Sequence, residues 1–183
     1  ATSLDSIQTL NVTTDKAFKL VDSAAATTIL EDIATATIGG TASTASASLG
    51  DLGKAGLTHI INLTATGLKS GLTIGTVNAG TGSATLNVSG VTGVVNIGGG
   101  SKTIAGDAGV TLTATNIAEN LIGGADITSK GNISVDVTNA AKVVTLGKLN
   151  AGTTGDVTVL ANNIGDVLTV GLITGNNVTV NTK

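Results

Sequence analysis

Short runs of alternating apolar and polar residues, separated by Gly, Asn and Asp, dominate the chain from residue 60 onward. Alternation with a period of two places the apolar side chains on one face of a β-strand. The residues between the runs are those that favour turns. Ten strands are predicted in this way: Ile60–Thr66, Leu72–Asn78, Ala84–Ser89, Val94–Ile97, Val110–Thr115, Asn132–Thr138, Lys142–Asn150, Asp156–Ala161, Asp166–Gly171 and Asn177–Asn181.

The spacing and the composition both favour an all-β fold. Most strands begin about ten to twelve residues after the previous one, which is typical of a β-sandwich or of solenoid rungs. The chain has 32 Thr, one Phe and no Trp, Tyr or Met, so its core must consist of Val, Ile, Leu and Ala. A mean hydropathy of +0.42 argues against disorder. We therefore predict an all-β protein, either β-solenoid-like or a layered β-sandwich.

A long internal repeat accompanies the strands. Leu72–Gly80 (LTIGTVNAG) matches Val144–Gly152 (VTLGKLNAG) at an offset of 72, and Gly82–Gly98 matches Gly155–Gly171 at an offset of 73. The apolar positions agree along both pairs of segments. Because a repeat of about 73 residues is too long for one rung, it fits either a block of several solenoid rungs or a duplicated half of a layered β domain.

The first third of the chain has a different pattern. Asp22–Ile38 is rich in Ala and predicts a short helix near residues 22–38, ended by Gly39–Gly40. A second helical turn is predicted at Asn116–Leu121, stopped by Gly123–Gly124.

These patterns suggest two parts. Residues 1–58 would form an N-terminal segment with a strand and the short helix. Residues 59–183 would form a β-rich repeat region, with related halves at about 59–130 and 131–183. Since the chain begins at Ala1 rather than Met, we expect it to be a fragment of a longer protein.

The composition argues against several classes of partner. All nine basic residues are Lys, and the net charge is −3, so the chain lacks the Arg and the basic surface that bind phosphate groups. Without aromatic platforms, stacking on single-stranded nucleic acid or sugars is also disfavoured. No apolar run reaches the roughly 18 residues of a transmembrane helix. We predict no nucleic-acid partner and no transmembrane segment.

Candidate catalytic and metal motifs are few. His59 is the only histidine and starts an apolar strand, with no carboxylate nearer in sequence than Asp51, so we interpret it as a surface residue at a strand end. Ile97–Thr103 (IGGGSKT) superficially resembles a phosphate loop, but Ser101 precedes Lys102 and no helix follows. The Asp and Glu residues are scattered singly, apart from Glu31–Asp32. We predict that the chain is not an enzyme and binds no cofactor in a dedicated site.

Five Asn-x-Ser/Thr sequons occur, at Asn11, Asn62, Asn87, Asn132 and Asn177. In a chain rich in Asn and Thr several arise by chance. They would carry glycans only where the source organism modifies such sites.

Two features point to one family. Ser3–Thr13 (SLDSIQTLNVT) resembles a recurrent phrase of S-layer proteins and large adhesins that Gram-negative bacteria export by type I secretion, with Gln8 in place of the usual Glu. Asn120–Asp126 (NLIGGAD) resembles one turn of the calcium-binding nonapeptide of secreted solenoids. The resemblance implies an extracellular, cell-surface protein that forms a lattice or adheres, often with calcium.

From the residues and this resemblance we expect a structural module of a bacterial S-layer-type assembly that acts by self-association. Two alternatives stay open: an adhesin domain that binds a ligand such as a cell-surface glycan, and a filament subunit joined by exchange of the terminal strand Asn177–Asn181. Calcium is the one candidate metal, with Asp126, Asp156 and Asp166 as candidate ligands in turns. The competing interpretation is that these aspartates simply form turns.

Overall fold

The computed structural model of this chain, which describes residues 6–20, 30–99 and 102–183, is an all-β parallel β-solenoid of about seven turns. Within these residues every element is a strand. The strands are β1 (Thr9–Thr14), β2 (Ala17–Leu20), β3 (Thr35–Gly40), β4 (Ser46–Leu49), β5 (Leu52–Gly53), β6 (Ile61–Thr66), β7 (Gly71–Ile74), β8 (Val77–Asn78), β9 (Ser83–Ser89), β10 (Val95–Ile97), β11 (Thr103–Ala105), β12 (Gly109–Ile117), β13 (Leu121–Thr128), β14 (Ile133–Ala140), β15 (Val144–Asn150), β16 (Val157–Ile164), β17 (Leu168–Val170), β18 (Ile173–Thr174) and β19 (Val178–Thr182).

Each coil contributes one strand to sheet A and then crosses to sheet B. Sheet A holds β1, β3, β6, β9, β12, β14, β16 and β19 in that spatial order. Sheet B holds the other strands. A bend divides each coil's part of sheet B into two arms, and β13 and β15 each continue through the bend as one strand. We call the connection from sheet A to sheet B the first corner. The return to sheet A is the second corner.

The coils are stacked in parallel and in register. Measured between paired residues of sheet A, the longest coil runs from Thr35 in β3 to Asn62 in β6, and the shortest runs from Thr158 in β16 to Thr179 in β19. The predicted solenoid is therefore confirmed. The layered β-sandwich alternative is wrong, because such sandwiches are built from antiparallel strands.

The long internal repeat is a block of three coils. Leu72 pairs with Val95, Val95 with Leu121, and Leu121 with Val144, so the two ends of the matched segments occupy one column of sheet B. The shared Asn-Ala-Gly also has one structure in both copies. The side chain of Asn78 accepts a hydrogen bond from Gly80 N at 3.0 Å, and Asn150 accepts one from Gly152 N at 3.0 Å.

The core lies between the two sheets and consists of stacked columns of aliphatic side chains. One column in sheet A is Leu63, Leu86, Leu112, Val135 and Val159, all buried. Burying a side chain of this kind stabilises the folded state by about 1.5–3 kcal/mol. Since every coil repeats the columns, stability accumulates coil by coil, as in other solenoids.

Glycines form a column at the bend of sheet B. Its members are Gly50, Gly75, Gly98, Gly124, Gly147 and Gly171, each directly after the first arm of its coil. A Cβ on Gly147 would overlap the carbonyl oxygen of Ala125 in the coil below, so the bend brings neighbouring backbones too close for a side chain.

The predicted helix near residues 22–38 is wrong over the part that the structure describes. Leu30 forms an isolated parallel bridge with Leu52, and Thr35–Gly40 is β3. Residues 22–29 lie outside the described residues. Ala36 and Ile38 are buried on one face of β3, which pairs with β1 and β6 on either side, and this packing overrides the helical propensity of Ala.

The predicted helical turn at Asn116–Leu121 is also wrong. Asn116 and Ile117 end β12, and Leu121 begins β13. Asn116 has φ of 56°, in the left-handed region, which starts the first corner instead of a helix. Gly123 and Gly124 lie within β13.

All ten predicted strands have counterparts, but the one predicted at Leu72–Asn78 is interrupted at Gly75 and Thr76, which separate β7 from β8. Strands β1 to β5, β11, β13 and β18 were not among the ten. The division of the chain at residue 58 stays a prediction. Pairing of β3 with β6 and of β4 with β7 continues both sheets across that position.

Candidate self-association surfaces

The outer face of sheet A carries mainly small polar side chains. One outward column consists of Thr9, Thr35, Asn62, Thr85, Thr111, Ser134, Thr158 and Thr179. The five sequon asparagines are all exposed and lie within strands of this sheet or directly before them. An outward-facing Asn followed two residues later by an outward-facing Ser or Thr is a sequon by definition. The geometry of the strands therefore accounts for the three sequons within strands, at Asn11, Asn62 and Asn87.

Ion pairs along the sides of the solenoid connect coils. Lys54 Nζ lies 3.1 Å from both Glu31 and Asp32, and these carboxylates raise the pKa of Lys54 above its ordinary value, Glu31 most. Three further pairs link coils elsewhere: Lys102 with Asp51, Lys130 with Asp107, and Lys142 with Glu119. Exposed pairs contribute little to stability, but they place several lysines beside carboxylates rather than in a basic patch.

The His and Lys side chains of the motifs that could suggest an active site contact groups in other coils. His59 Nε2 lies 3.3 Å from the carbonyl oxygen of Ile33, in the previous coil. Lys102, from the phosphate-loop-like segment, points its amine at Asp51, two coils away, while Gly100 and Ser101 lie outside the described residues. One open surface depression, of about 320 Å³, is lined by Asn139, Ala140, Ala141, Asn163 and Gly165, none of which is titratable.

The structure keeps the three candidate calcium ligands apart. Asp156 precedes β16 at the second corner, and Asp166 follows β16 at the first corner, so a whole strand separates them. Asp126 lies in β13, beside Lys148 in β15. In the ranges that the structure describes, no group of three or more His, Cys, Asp or Glu side chains could hold a metal ion. Calcium binding by these residues stays a prediction, and any such site would need other oxygen ligands.

The nonapeptide-like segment Asn120–Asp126 is mostly strand. Leu121 to Asp126 belong to β13, whose pairing with β15 shifts register between Gly123 and Asp126. Such an irregularity lets the strand follow the bend of sheet B. The glycines here therefore have a structural explanation.

The carboxylate of Asp156 accepts hydrogen bonds from the two residues that precede β19. Its Oδ1 accepts hydrogen bonds from Asn177 Nδ2 at 2.8 Å, from Asn177 N at 3.1 Å and from Asn176 Nδ2 at 3.2 Å. These bonds, that from the Asn177 side chain most, lower the pKa of Asp156 below its ordinary value. The carboxylate thus holds the start of β19 against the preceding coil.

The C-terminal end of the solenoid exposes apolar side chains. Leu172 is 68% exposed, Val167 and Val180 are 50% exposed, and Val178 is 49% exposed. Around them lie the partly buried Leu168, Val170 and Ile173. We call these seven residues the C-terminal end face.

The N-terminal end has a matching apolar edge. Its partly buried apolar residues are Ile7, Leu10, Val12, Phe18 and Leu20, and we call them the N-terminal end face. Among the described residues, β1 pairs only with β3 and β2 only with β4. Both ends of the described structure therefore combine strand edges with apolar side chains, the combination that favours pairing with further strands.

Sequence reasoning identified the terminal strand Asn177–Asn181 but missed the two end faces as surfaces. A signal that could have helped was the spacing of the glycine column, whose six members recur once in each of six successive coils and mark their bends. Counting from that spacing would have located these six coils.

The structure describes no helix long and apolar enough to cross a membrane. Comparisons with protein-family models, with curated proteins and with solved structures found no match to this chain.

Proposed function

We propose that this chain is a structural, non-enzymatic module of a bacterial cell-surface assembly of the S-layer type, and that it acts by self-association outside the cell. The observation that carries the proposal is the pair of apolar end faces on a solenoid whose sides are mainly polar. Solenoids that exist as single soluble units usually have polar caps at their ends. Apolar end faces such as those described here are covered where further coils stack on them, whether these belong to the same polypeptide or to a second copy.

The body of the solenoid is a continuous stack of coils. Parallel ladders run through both sheets, and a continuous aliphatic core joins all coils. Extensive stacking of this kind makes a stiff unit that associates without changing shape. The resemblance of Ser3–Thr13 to the phrase found in S-layer proteins and large adhesins supports the extracellular, cell-surface setting.

The sides of the solenoid support self-association more than binding of a separate ligand. Interfaces that recognise other proteins are enriched in Trp, Tyr and Arg, which this chain lacks. The outer face of sheet A consists mainly of small Thr, Ser and Asn side chains, with Asp136 and Leu160 among them, so it offers lateral contact area without strong specificity.

Sedimentation velocity over a range of concentrations, with negative-stain electron microscopy, tests the proposal. We expect the purified chain to form concentration-dependent oligomers that lengthen along the solenoid axis. Leu172→Lys, which charges the most exposed apolar residue of the C-terminal end face, should weaken association. The matched control, Ile60→Lys, charges an exposed apolar residue on the side of the solenoid and should not. A chain that stays monomeric at all concentrations would overturn the proposal.

A further inference from the structure

We infer that two copies of this chain associate side by side through the outer faces of sheet A, with their coils running in opposite directions. The inference rests on the proposed self-association and adds an interface on the side of the solenoid. The strands that form this interface are β3, β6, β9, β12, β14 and β16, each of which is paired with a strand on both sides.

Charged side chains are nearly excluded from sheet A. Asp136 is the only charged residue in the sheet A strands that the structure describes. The other charged residues described lie in sheet B or in the connections, where four lysines form ion pairs between coils. Because Lys, Glu and Asp are common on solvated surfaces and depleted at the centres of interfaces, this distribution indicates a face that is covered by a partner.

The outward residues of sheet A complement a second copy of the same face. Most are Thr, Ser and Asn, whose hydroxyl and amide groups both donate and accept hydrogen bonds, so the face can satisfy its polar groups against itself. Small side chains also let two sheets approach closely and interdigitate. A different protein would usually be bound through Trp, Tyr or Arg, which the chain lacks. The occupant that this face fits is therefore a second copy.

The area of the face is sufficient for a reversible contact. With strands about 4.8 Å apart and a rise of about 3.3 Å per residue, five residues on each of the six strands cover about 480 Å² in projection. Two such faces bury about 1,000 Å² together, which is the lower bound for a specific interface. The lateral contact is thus weak between two chains and becomes strong where several contacts act together.

The position of Asp136 selects the relative direction of the two copies. If the coils ran in the same direction with equal coils facing each other, Asp136 would face Asp136 of the second copy, and the like charges would repel. With opposite directions and a twofold axis between β9 and β12, β14 faces β6 instead. Asp136 then lies opposite Thr64, since both belong to the central outward column of sheet A, which consists of Thr37, Thr64, Asn87, Thr113, Asp136 and Leu160.

The hydrogen bonding of Asp136 leaves an acceptor for this contact. Its Oδ1 accepts a hydrogen bond from the hydroxyl of Thr138 in the same strand, at 3.2 Å. Oδ2 can accept a second bond, from the hydroxyl of Thr64 in the second copy. The one charge of the interface would thus be hydrogen-bonded from both copies, which offsets its loss of water.

The sizes of the side chains match in the same arrangement. β16 carries two of the larger outward residues, Leu160 and Asn162, and faces β3 of the second copy. Leu160 would lie opposite the methyl group of Thr37. In the next outward column Asn162 would lie opposite Gly39, which has no side chain and leaves room for the amide. Both pairs support the twofold axis between β9 and β12.

Sedimentation equilibrium of two variants with opposite charges at Thr64 tests the interface. All proteins carry Leu172→Lys, which weakens the end contact of the proposed function and leaves the lateral contact to be measured. Thr64→Lys should dimerise at least several-fold more tightly than this background at low salt, because the added amine meets Asp136 of the second copy. Thr64→Glu should dimerise several-fold more weakly. Adding Asp136→Asn should remove most of the difference between the two variants.

The matched controls are Thr145→Lys and Thr145→Glu, which place the same charges on the outer face of sheet B and should dimerise equally well. Circular dichroism checks that every variant is folded. Equal dimerisation of Thr64→Lys and Thr64→Glu would overturn the inferred interface. So would a Leu172→Lys background that stays monomeric while the parent chain forms oligomers, which leaves the proposed function intact and sheet A to another occupant. A parent chain that is monomeric at all concentrations would overturn the proposed function itself.

Discussion

Asn139 donates a hydrogen bond from its side-chain amide to Oδ1 of Asn116, one coil away, at 2.9 Å. Asn163 donates in the same way to Asn139, also at 2.9 Å. All three residues have positive φ, between 55° and 57°, in a column that holds Gly67 and Gly90 in earlier coils. The first corner thus needs a left-handed residue in each of these coils, and asparagine supplies both the backbone conformation and a ladder of amides.

Asn139→Ala should destabilise the protein by about 1–3 kcal/mol, because Ala loses both amide hydrogen bonds and tolerates positive φ poorly. Asn139→Gly is the matched variant, since it keeps the backbone conformation and loses only the amide bonds, so its cost should be smaller. Urea unfolding of the three proteins gives the free energies. Equal stability of Asn139→Ala and the parent chain would contradict the role of the ladder.

Gly147→Ala should destabilise the protein more than Gly152→Ala. The added Cβ at Gly147 would overlap the carbonyl oxygen of Ala125, and the backbone shift that relieves such overpacking costs about 1–3 kcal/mol or more. Gly152 has φ of 66°, but a Cβ added there would meet open space. Its substitution therefore carries only the cost of placing Ala at positive φ, about 1–2 kcal/mol. Thermal unfolding measures both. A larger loss for Gly152→Ala would refute the explanation of the glycine column.

The stabilising effect of Asp156 should depend on pH. Because its folded-state pKa is lowered, chiefly by the Asn177 side chain, its contribution is present above the unfolded pKa of about 3.9 and is lost as pH falls through the folded value. The difference in free energy of unfolding between the parent chain and Asp156→Ala should therefore be larger near neutral pH than below about pH 4. Denaturation at several pH values measures it. Asp166→Ala, at the other end of β16, is the control. A difference that does not change with pH would show that the hydrogen bonds to Asn176 and Asn177 do not act through the ionised carboxylate.

Calcium should have little effect on the melting temperature of this chain. Asp126, Asp156 and Asp166 lie at the bend and at two different corners, so they cannot supply the six to eight oxygens of one site together. We expect thermal melts in millimolar calcium and in excess chelator to agree within about 2 °C. A larger rise in calcium would place a site among other oxygens of the folded chain, and single substitutions of the three aspartates would then show whether any of them takes part.

The local features of this protein can be predicted from its amino-acid sequence. Alternation in segments such as Ile60–Thr66 specifies which side chains face inward, because successive residues of a strand point to opposite faces. The matched segments at Leu72–Gly80 and Val144–Gly152 specify the repeat, since equivalent positions in a solenoid need equivalent side chains. Where a local preference and the packing disagreed, as for the Ala-rich stretch that contains β3, the packing decided the structure.

The arrangement of these strands depends on contacts between coils and cannot be predicted from local sequence. Alternation is equally compatible with parallel coils and with an antiparallel sandwich, because it encodes the face of each residue and not its neighbours. The parallel register sets the repeat as three coils, places Asp156 and Asp166 at opposite ends of β16, and brings Asn116, Asn139 and Asn163 into one ladder.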